Sequence, residues 1–200
     1  MFNALISDAL NLWQQGGYLM WPLALLAFFI YYSSLELFLY FSRCGFHRPS
    51  DRQWMSWIDE PKKAEGEVGR IIRYGQQNVF SLKDIRDRFA EIRTAQLSRI
   101  DRRVRFLIVL VSTAPLTGLL GTVVGMLATF AGLSLASSGQ TVDLVAAGIS
   151  EALITTQTGL MIAIPGYVFI YAINRRRNEL ALFLHRLESV TMKRFKEGVV

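Results

Sequence analysis

The sequence predicts an all-α membrane protein, a helical bundle with three transmembrane helices that assembles as an oligomer. Of the 200 residues, 52% are hydrophobic, which is a high share for a soluble domain. Three apolar stretches are each longer than the roughly 20 residues that a helix needs to cross a bilayer. All 22 Lys and Arg residues lie outside these stretches, in 43–105 and 175–200.

The positions of the basic residues predict the topology, because Lys and Arg are retained on the cytoplasmic side of membrane proteins. The segments 43–105 and 175–200 are therefore predicted to be cytoplasmic, and Cys44 with them. The N-terminus and the short link 134–143 are predicted to lie outside. A nucleic-acid-binding protein would not confine its basic residues to the gaps between apolar spans. The net charge of +6 thus indicates membrane topology, with the lipid bilayer and no nucleic acid as partner.

Residues 1–16 predict a short amphipathic helix that lies on the outer, periplasmic face of the membrane, because apolar side chains recur on one helical face. That face consists of Phe2, Leu5, Ile6, Ala9, Leu10 and Trp13. A frayed terminus is the alternative interpretation. Gly16 and Gly17 separate this helix from the first transmembrane helix.

The first transmembrane helix is predicted over 17–42. Its apolar run is too long for a cleavable signal peptide, and no basic region precedes it. Glu36 lies near the inner end of this helix, close to Arg43. We interpret Glu36 as one half of an ion pair at the membrane interface rather than as a functional acid.

The segment 43–105 is predicted to be a helical insert, interrupted early by Pro49 and Pro61. From Ser81 the residues S-L-K-D resemble a capping box. Apolar or long side chains then recur at helical spacing, at Leu82, Ile85, Phe89, Ile92, Gln96 and Ile100. No Gly or Pro follows before Pro115. The second transmembrane helix, 106–133, is therefore predicted to continue a long helix that begins near Ser81.

The link 134–143 precedes the third transmembrane helix, which is predicted over 144–174. An apolar stripe continues beyond this helix through the basic tail 175–200, at Leu180, Leu184, Leu187 and Thr191. No Gly or Pro occurs in the tail before Gly198. The second and third transmembrane helices are therefore both predicted to extend as long helices into the cytoplasm.

Small residues form a stripe along each of the second and third transmembrane helices. The first stripe consists of Ala114, Gly118, Gly121, Gly125, Ala128 and Gly132. The second consists of Gly148, Ala152, Thr155, Gly159, Ala163 and Gly166. Small residues on one face let two helix backbones approach closely in lipid. Two matched stripes predict tight helix packing, and membrane glycine without a packing role is the alternative.

Glu151 is the only charged residue between Asp143 and Arg175. It lies about 12 Å along the helix from Asp143, a depth that disfavours contact of so short a side chain with the headgroups. A carboxylate inside hydrocarbon costs at least about 2.5 kcal/mol, so it is expected to face protein or water. The favoured interpretation is a proton or ion relay. The alternative is a structural glutamate that hydrogen-bonds packed helices.

Hydroxyl groups accompany Glu151 on the third transmembrane helix. Thr155 and Thr158 share its face on an ideal helix, whereas Thr156 is turned away by about 140°. Hydroxyls both donate and accept hydrogen bonds, which suits a proton path. The alternative is that each threonine only bonds a carbonyl of its own helix. Pro165 predicts either a packing kink or a flexing point in the same helix.

No enzymatic constellation is evident in the sequence. It contains no Ser/His/Asp set, phosphate-binding loop or metal-ligand cluster. His47 and His185 lie in the basic segments without a Cys or His partner at ligand spacing. The sequence therefore predicts neither an enzyme nor a bound cofactor or metal.

Two motifs resemble the MotA/TolQ/ExbB proton channel family, and its ExbB and TolQ branch in particular. They are A-P-L-T-G-L-L-G-T-V-V-G-M from Ala114 and G-I-S-E-A-L-I-T-T-Q-T-G-L-M-I-A-I-P from Gly148. Three spans and a large insert agree with the ExbB/TolQ plan rather than with the four spans of MotA. By motif position, the resemblance implies that Glu151 is the membrane glutamate and that Thr122 and Thr156 are pore threonines. The helical face favours Thr155 over Thr156, so both remain candidates.

The resemblance implies a homopentamer in the bacterial inner membrane, with a periplasmic N-terminus and a cytoplasmic C-terminus. It also implies a single-span ExbD- or TolR-like partner with a membrane aspartate, and a TonB- or TolA-like energy transducer. Proton flow through this channel or stator would energise an outer-membrane process. Thr122 and Thr156 would line the pore, and Glu151 would set its electrostatics or relay protons. The alternative is a non-conducting helical scaffold or assembly protein; three unrepeated spans disfavour a secondary transporter.

Overall fold

The computed structural model of the chain describes residues 13, 15–43, 51–77, 79–135 and 141–198. They form α1 (Met20–Arg43), α2 (Asp51–Asp59), α3 (Gly66–Gln76), α4 (Leu82–Leu135) and α5 (Thr141–Lys196). One turn of 3₁₀ helix, Pro61–Lys63, lies between α2 and α3. Within the described ranges there is no β-strand. The predicted all-α class is confirmed.

Some predicted features lie outside the described residues. They are most of the amphipathic helix 1–16, Cys44, His47, Pro49 and the middle of the link 134–143. Each of them stays a prediction.

Three helices, α1, α4 and α5, are long and apolar enough to cross a membrane, so the prediction of three candidate spans is confirmed. α4 has 54 residues and α5 has 56. At 1.5 Å per residue each is about 80 Å long, more than twice the hydrocarbon thickness of a bilayer. Pro115 and Pro165 lie inside these helices without ending them. In α4 and in α5, the apolar span therefore continues into a charged half as one helix. The side of the membrane on which these charged halves lie stays a prediction.

The start of α4 shows why the long helix begins where it does. The Ser81 hydroxyl accepts a hydrogen bond from the Lys83 backbone N–H at 3.2 Å. The Asp84 carboxylate reaches back to the backbone N–H of Phe80 at 3.1 Å. The Ser81 hydroxyl thus pairs a backbone donor that the first helical turn leaves free, and the Asp84 contact holds the residue that precedes this cap. The predicted start near Ser81 is confirmed.

The chain divides into two compact units. The apolar unit comprises Met1–Ser34 and Phe106–Ile170. In it, the first part of α1 and the apolar halves of α4 and α5 pack together. Its buried apolar side chains are Met20, Leu23, Ile30, Leu107, Val111, Ala114, Ala152, Ile162, Ala163 and Ile170.

The polar unit comprises Leu35–Arg105 and Tyr171–Val200. Its core combines apolar side chains of α2 and α3 with one stripe of each long helix. The stripe on α4 departs from the predicted spacing at one place, because Leu97 is buried and Gln96 is only half-buried. The buried members are Ile85, Phe89, Ile92 and Ile100 of α4 and Leu180, Leu184, Leu187 and Thr191 of α5. The Trp54 ring of α2 packs edge-on against Phe183 of α5, with 6.0 Å between ring centroids.

Ion pairs join α4 to α5 within the polar unit. Arg177 donates from Nε and Nη2 to the two carboxylate oxygens of Asp101, at 2.8 Å each. These hydrogen bonds lower the pKa of Asp101 below its ordinary value, although partial burial acts in the opposite direction. Arg93 forms a second pair with the buried carboxylate of Glu188. The two pairs link the charged half of α4 to that of α5 at two levels.

Glu36 forms an ion pair, as predicted, but with a different partner. Its carboxylate accepts a hydrogen bond from Nη1 of Arg103, on α4, at 2.7 Å. The predicted neighbour, Arg43, lies two helical turns further along α1, and its side chain is outside the described residues. Both partners are about half exposed, so the pair contributes about 0–1 kcal/mol.

Candidate functional site

The small residues of α4 and α5 face each other within the apolar unit. A Cβ built on Gly125 would lie 2.9 Å from the carbonyl oxygen of Gly148. One built on Gly159 would lie 2.6 Å from the carbonyl oxygen of Ala114. Contacts this short leave no room for a side chain, so glycine permits the close approach of the backbones. Gly125 of α4 meets Gly148 near the start of α5, whereas the earlier residue Ala114 of α4 meets the later residue Gly159 of α5. The two helices therefore run antiparallel.

Gly118 and Gly121 form the centre of this contact. A Cβ on Gly118 would lie 3.0 Å from the Thr155 carbonyl oxygen and from the Thr156 Cα. A Cβ on Gly121 would lie 2.1 Å from the Thr155 hydroxyl oxygen. The two glycines of α4 therefore pack against the turn of α5 that carries the candidate threonines Thr155 and Thr156.

The stripe on the second span departs from the prediction near the C-terminal end of α4. Ala128 is exposed, whereas Thr129 is buried and donates to the carbonyl of Gly125 at 2.8 Å. A Cβ on Gly148 would lie 2.0 Å from the Thr129 hydroxyl oxygen. The contact therefore continues through a threonine rather than an alanine, because the α4 face that meets α5 turns by one residue here.

Thr155 lies inside the α4–α5 contact, with only 1% of its surface exposed. Its hydroxyl donates to the carbonyls of Ala152 and Glu151 in its own helix, at 2.9 and 3.2 Å. Thr158 likewise bonds the carbonyl of Ile154 at 2.8 Å. Both hydroxyls follow the alternative interpretation, in which a membrane threonine bonds its own helix.

Thr156 differs from Thr155 because its hydroxyl reaches the neighbouring helix. It donates to the carbonyl of Gly118 at 2.9 Å and remains half-buried. Thr122 is also half-buried, but its hydroxyl donates to the carbonyl of Leu119 in α4 at 2.7 Å. The structure thus brings Thr156 to Gly118 and gives Thr122 a partner in its own helix.

Glu151 lies in the apolar unit beside the residues that lead into α1. Its side chain is half-buried. A Cβ built on Gly17 would lie 1.7 Å from Glu151 Oε1 and 2.7 Å from its Cδ. None of the described basic side chains forms an ion pair with this carboxylate. Gly17 is a residue that sequence reasoning treated only as a break before the first span.

Polar contacts also occur on both sides of Pro165. The Tyr31 hydroxyl of α1 donates to the carbonyl of Ile162 at 3.3 Å. The hydroxyls of Ser112 and Tyr167 lie 3.1 Å apart and join α4 to α5. Sequence reasoning did not select these side chains, because a single Tyr or Ser in a span gives no pattern. In the part of the chain that is described, no group of His, Cys, Asp and Glu could hold a metal ion.

Large apolar side chains cover the outer faces of the apolar unit. On α4 and α5 they include Leu116, Leu120, Val123, Leu127, Leu153, Leu160, Ile164 and Val168. An exposed apolar surface of this extent marks contact with lipid or with other protein. The candidate site therefore lies on helices whose remaining faces are suited to a membrane environment.

Comparison with known proteins relates this geometry to a family. A sequence model described as the MotA/TolQ/ExbB proton channel family matches residues 63–185, which include the central contact and Glu151. The chain is 39% identical over 85 residues to the Tol-Pal system protein TolQ of Haemophilus influenzae, covering 42% of this chain and 37% of that protein. It is 42% identical over 71 residues to a putative ExbB-like biopolymer transport protein of Synechocystis, and the alignment covers 34% of this chain and 28% of that protein.

A longer alignment is found with the ExbB homolog of Methanothermobacter thermautotrophicus. It extends over 178 residues at 28% identity and covers 80% of this chain and 62% of that protein. In the two more similar relatives, TolQ and the ExbB-like protein, the aligned part is less than two fifths of their length. The relatives are named for transport and for the Tol-Pal system, and none of these names describes an enzyme.

Proposed function

The chain belongs to the MotA/TolQ/ExbB proton channel family, and from this we propose that it is the channel, or stator, subunit of a motor driven by the proton-motive force. Its relatives named TolQ and ExbB support a role in that branch, in which proton flow energises an outer-membrane process. The membrane that it spans is then the bacterial inner membrane. Its N-terminus faces the periplasm, and the charged halves of α4 and α5 lie in the cytoplasm.

The observation that carries this proposal is the setting of Glu151. It is the one charged residue of α5 between Asp143 and Arg175, and no described basic side chain forms an ion pair with it. An uncompensated acid within an apolar span is costly unless it faces protein or water, so it is a functional group by default. A proton that crosses 100 mV gains about 2.3 kcal/mol, which is enough to bias a two-state movement of the helices.

Thr122 and Thr156 complete the proposed pathway. Both side chains are half-buried and so remain open to an adjoining subunit or partner. Thr155 is enclosed in the α4–α5 contact, which supports a packing role for it instead. We therefore prefer the motif-based pair to Thr155 as pore-lining residues.

The assembly that we propose is a homopentamer around a single-span, ExbD- or TolR-like partner with a membrane aspartate. The exposed apolar faces of α4 and α5 supply surfaces for neighbouring subunits and for the partner helix. A TonB- or TolA-like transducer would receive the resulting movement. The basic residues of 43–105 and 175–200 support the cytoplasmic position of the polar unit.

Proton flux in liposomes tests this function directly. The protein is reconstituted together with the single-span partner, and a pH-sensitive dye records flux under an imposed membrane potential. A channel subunit yields flux above that of empty liposomes, in proportion to the potential. A helical scaffold that only holds other proteins in place would leave the flux at the background level.

A further inference from the structure

We infer that Gly17 is a positioning residue for the Glu151 carboxylate, so that the entry to the first transmembrane helix forms part of the Glu151 site. This inference rests on the proposed function of Glu151. The contact itself joins two regions that the sequence patterns assigned to separate elements. Two observations support the inference: the Glu151 carboxylate lies against Gly17, and the turn at Gly16 and Gly17 is hydrogen-bonded to the start of α1.

The carboxylate of Glu151 occupies the space that any side chain at position 17 would need. A Cβ on Gly17 would lie 1.7 Å from Oε1 and 2.7 Å from Cδ of Glu151. Both distances are far below van der Waals contact, so even alanine would displace the carboxylate or the turn. The carboxylate is therefore seated directly on the backbone of residue 17.

Gly17 also has a φ of +64°, a left-handed conformation that glycine adopts without steric cost. Two other glycines provide a comparison. Gly66 and Gly198 have φ values of +70° and +72°, but a Cβ on either would meet nothing within 4 Å. Gly17 thus shares its left-handed backbone conformation with the other two glycines, and it differs from them because a carboxylate lies against it.

The turn is coupled to α1, so its position is not independent of the helix. The carbonyl of Gly17 accepts a hydrogen bond from the backbone N–H of Met20 at 3.3 Å. A Cβ on the preceding residue, Gly16, would meet Met20 Cγ at 2.5 Å and Ile154 Cγ2 at 3.2 Å. Gly16 and Gly17 therefore lie on the turn of α5 that starts at Glu151. A movement of the start of α1 would move the surface on which the carboxylate rests.

The test compares Gly17→Ala with Gly66→Ala in the full chain, expressed with its single-span partner. Both changes impose the same left-handed penalty on alanine, but only the first places a methyl group at the carboxylate. Glu151 is labelled in membranes with a hydrophobic carbodiimide, which reacts with protonated carboxyl groups, and mass spectrometry gives its labelling against pH. Proton-driven activity and oligomer size are measured in parallel.

We expect Gly17→Ala to shift the midpoint of Glu151 labelling and to lower activity by about tenfold or more, since small displacements of reacting groups have effects of this size. Gly66→Ala should retain both parent values. Adding Glu151→Asp to Gly17→Ala should restore part of the activity, because the shorter side chain withdraws the carboxylate from the new methyl group. If Gly17→Ala matches Gly66→Ala, or if Glu151→Asp restores nothing, the inference is wrong.

The outcome separates this inference from the proposed function. Full activity of Glu151→Gln would remove the function of Glu151 and the inference with it. An inactive Glu151→Gln combined with a normal Gly17→Ala would leave the function intact and overturn only the positioning role. If Gly17→Ala fails to assemble, recovery of assembly by Glu151→Asp still identifies the carboxylate as the cause. Failure to recover would identify backbone strain and count against the inference.

Discussion

Thr155 and Thr156 are adjacent in the sequence, but their hydroxyls have different surroundings. The Thr155 hydroxyl is enclosed against Gly121 and bonds only its own helix. The Thr156 hydroxyl bonds the carbonyl of Gly118 on α4. A single step of about 100° around the helix accounts for the difference. At the scale of single residues, the neighbour that each hydroxyl meets therefore distinguishes these two threonines, and which of them lines the path stays a prediction.

Valine substitutions test this assignment, because valine keeps the shape of threonine and removes the hydroxyl. Thr122→Val and Thr156→Val should each lower proton-driven activity by about five- to tenfold, the equivalent of one lost hydrogen bond. Both should leave the oligomer intact. Thr155→Val is the control and should remain close to the parent in activity. If Thr155→Val alone abolishes activity, Thr155 rather than Thr156 lines the path.

The ion pair between Asp101 and Arg177 predicts a pH dependence of stability. Hydrogen bonds from Arg177 lower the pKa of Asp101, so the folded state favours the ionised carboxylate. The contribution is present above the unfolded pKa of about 3.9 and is lost as pH falls through the lower folded value. Asp101→Asn should cost about 1 kcal/mol at neutral pH after solvent screening, and this cost should decrease as pH falls below about 3.9.

Thermal unfolding in detergent at neutral pH and at about pH 3 measures the effect of Asp101→Asn. Glu36→Gln is the matched control, because Glu36 and Arg103 are each about half exposed and such pairs contribute little. A cost of Asp101→Asn that is the same at both pH values would contradict the ion-pair explanation.

At the scale of elements, the α4–α5 contact depends on glycine at specific positions. Gly159 lies against the backbone carbonyl of Ala114, which cannot move independently of its helix. Gly121 lies against a side chain, that of Thr155. A bulky residue at either position must separate the helices. The contact therefore holds the Thr156 hydroxyl within reach of α4.

Leucine at Gly121 or at Gly159 should destabilise the apolar unit by about 3 kcal/mol or more, the upper part of the range for overpacking. Native mass spectrometry should show a pentamer for the parent chain and smaller species for these variants. Ala128→Leu is the control, because Ala128 belongs to the same predicted stripe but is exposed. A parent chain that remains a stable monomer in mild detergent would count against the stripe argument and the proposed assembly.

The elements could be predicted because their signals are local. The Ser81 cap, the absence of Gly and Pro before Pro115, and the buried stripe from Ile85 to Ile100 all act within a few turns of one helix. The Gly17–Glu151 contact could not be predicted, because it joins residues far apart in the chain. The same reason applies to Thr129, whose burial depends on how α4 rotates against α5, and to the partner of Glu36.

At the scale of the whole molecule, the predicted topology bears on which end of the apolar unit would receive protons under the proposed function. The distribution of Lys and Arg predicts that 43–105 and 175–200 lie in the cytoplasm. Glu151 lies beside Gly17, just before α1 begins. With the N-terminus outside, this arrangement would bring Glu151 close to the periplasmic end of the first span. Protons that enter from the periplasm would meet this carboxylate early in their path.

Cysteine labelling tests that topology without any structural disturbance, because Cys44 is the single cysteine of the chain. In intact spheroplasts a membrane-impermeant thiol reagent should leave Cys44 unlabelled. After permeabilisation it should react. A cysteine introduced at Asn3 should show the opposite pattern. Labelling of Cys44 in intact spheroplasts would reverse the predicted orientation.

The central claim is that Glu151 acts through its charge, and proton flux through the Glu151→Gln variant tests it most directly. The variant is reconstituted in liposomes with the single-span partner, and native mass spectrometry confirms the parent oligomer. Glutamine keeps the size and hydrogen-bonding capacity of glutamate but can neither titrate nor carry charge. We expect flux to fall by about tenfold or more, a loss of at least about 1.4 kcal/mol, with Glu151→Asp intermediate. Flux equal to that of the parent in an intact Glu151→Gln oligomer would contradict the account.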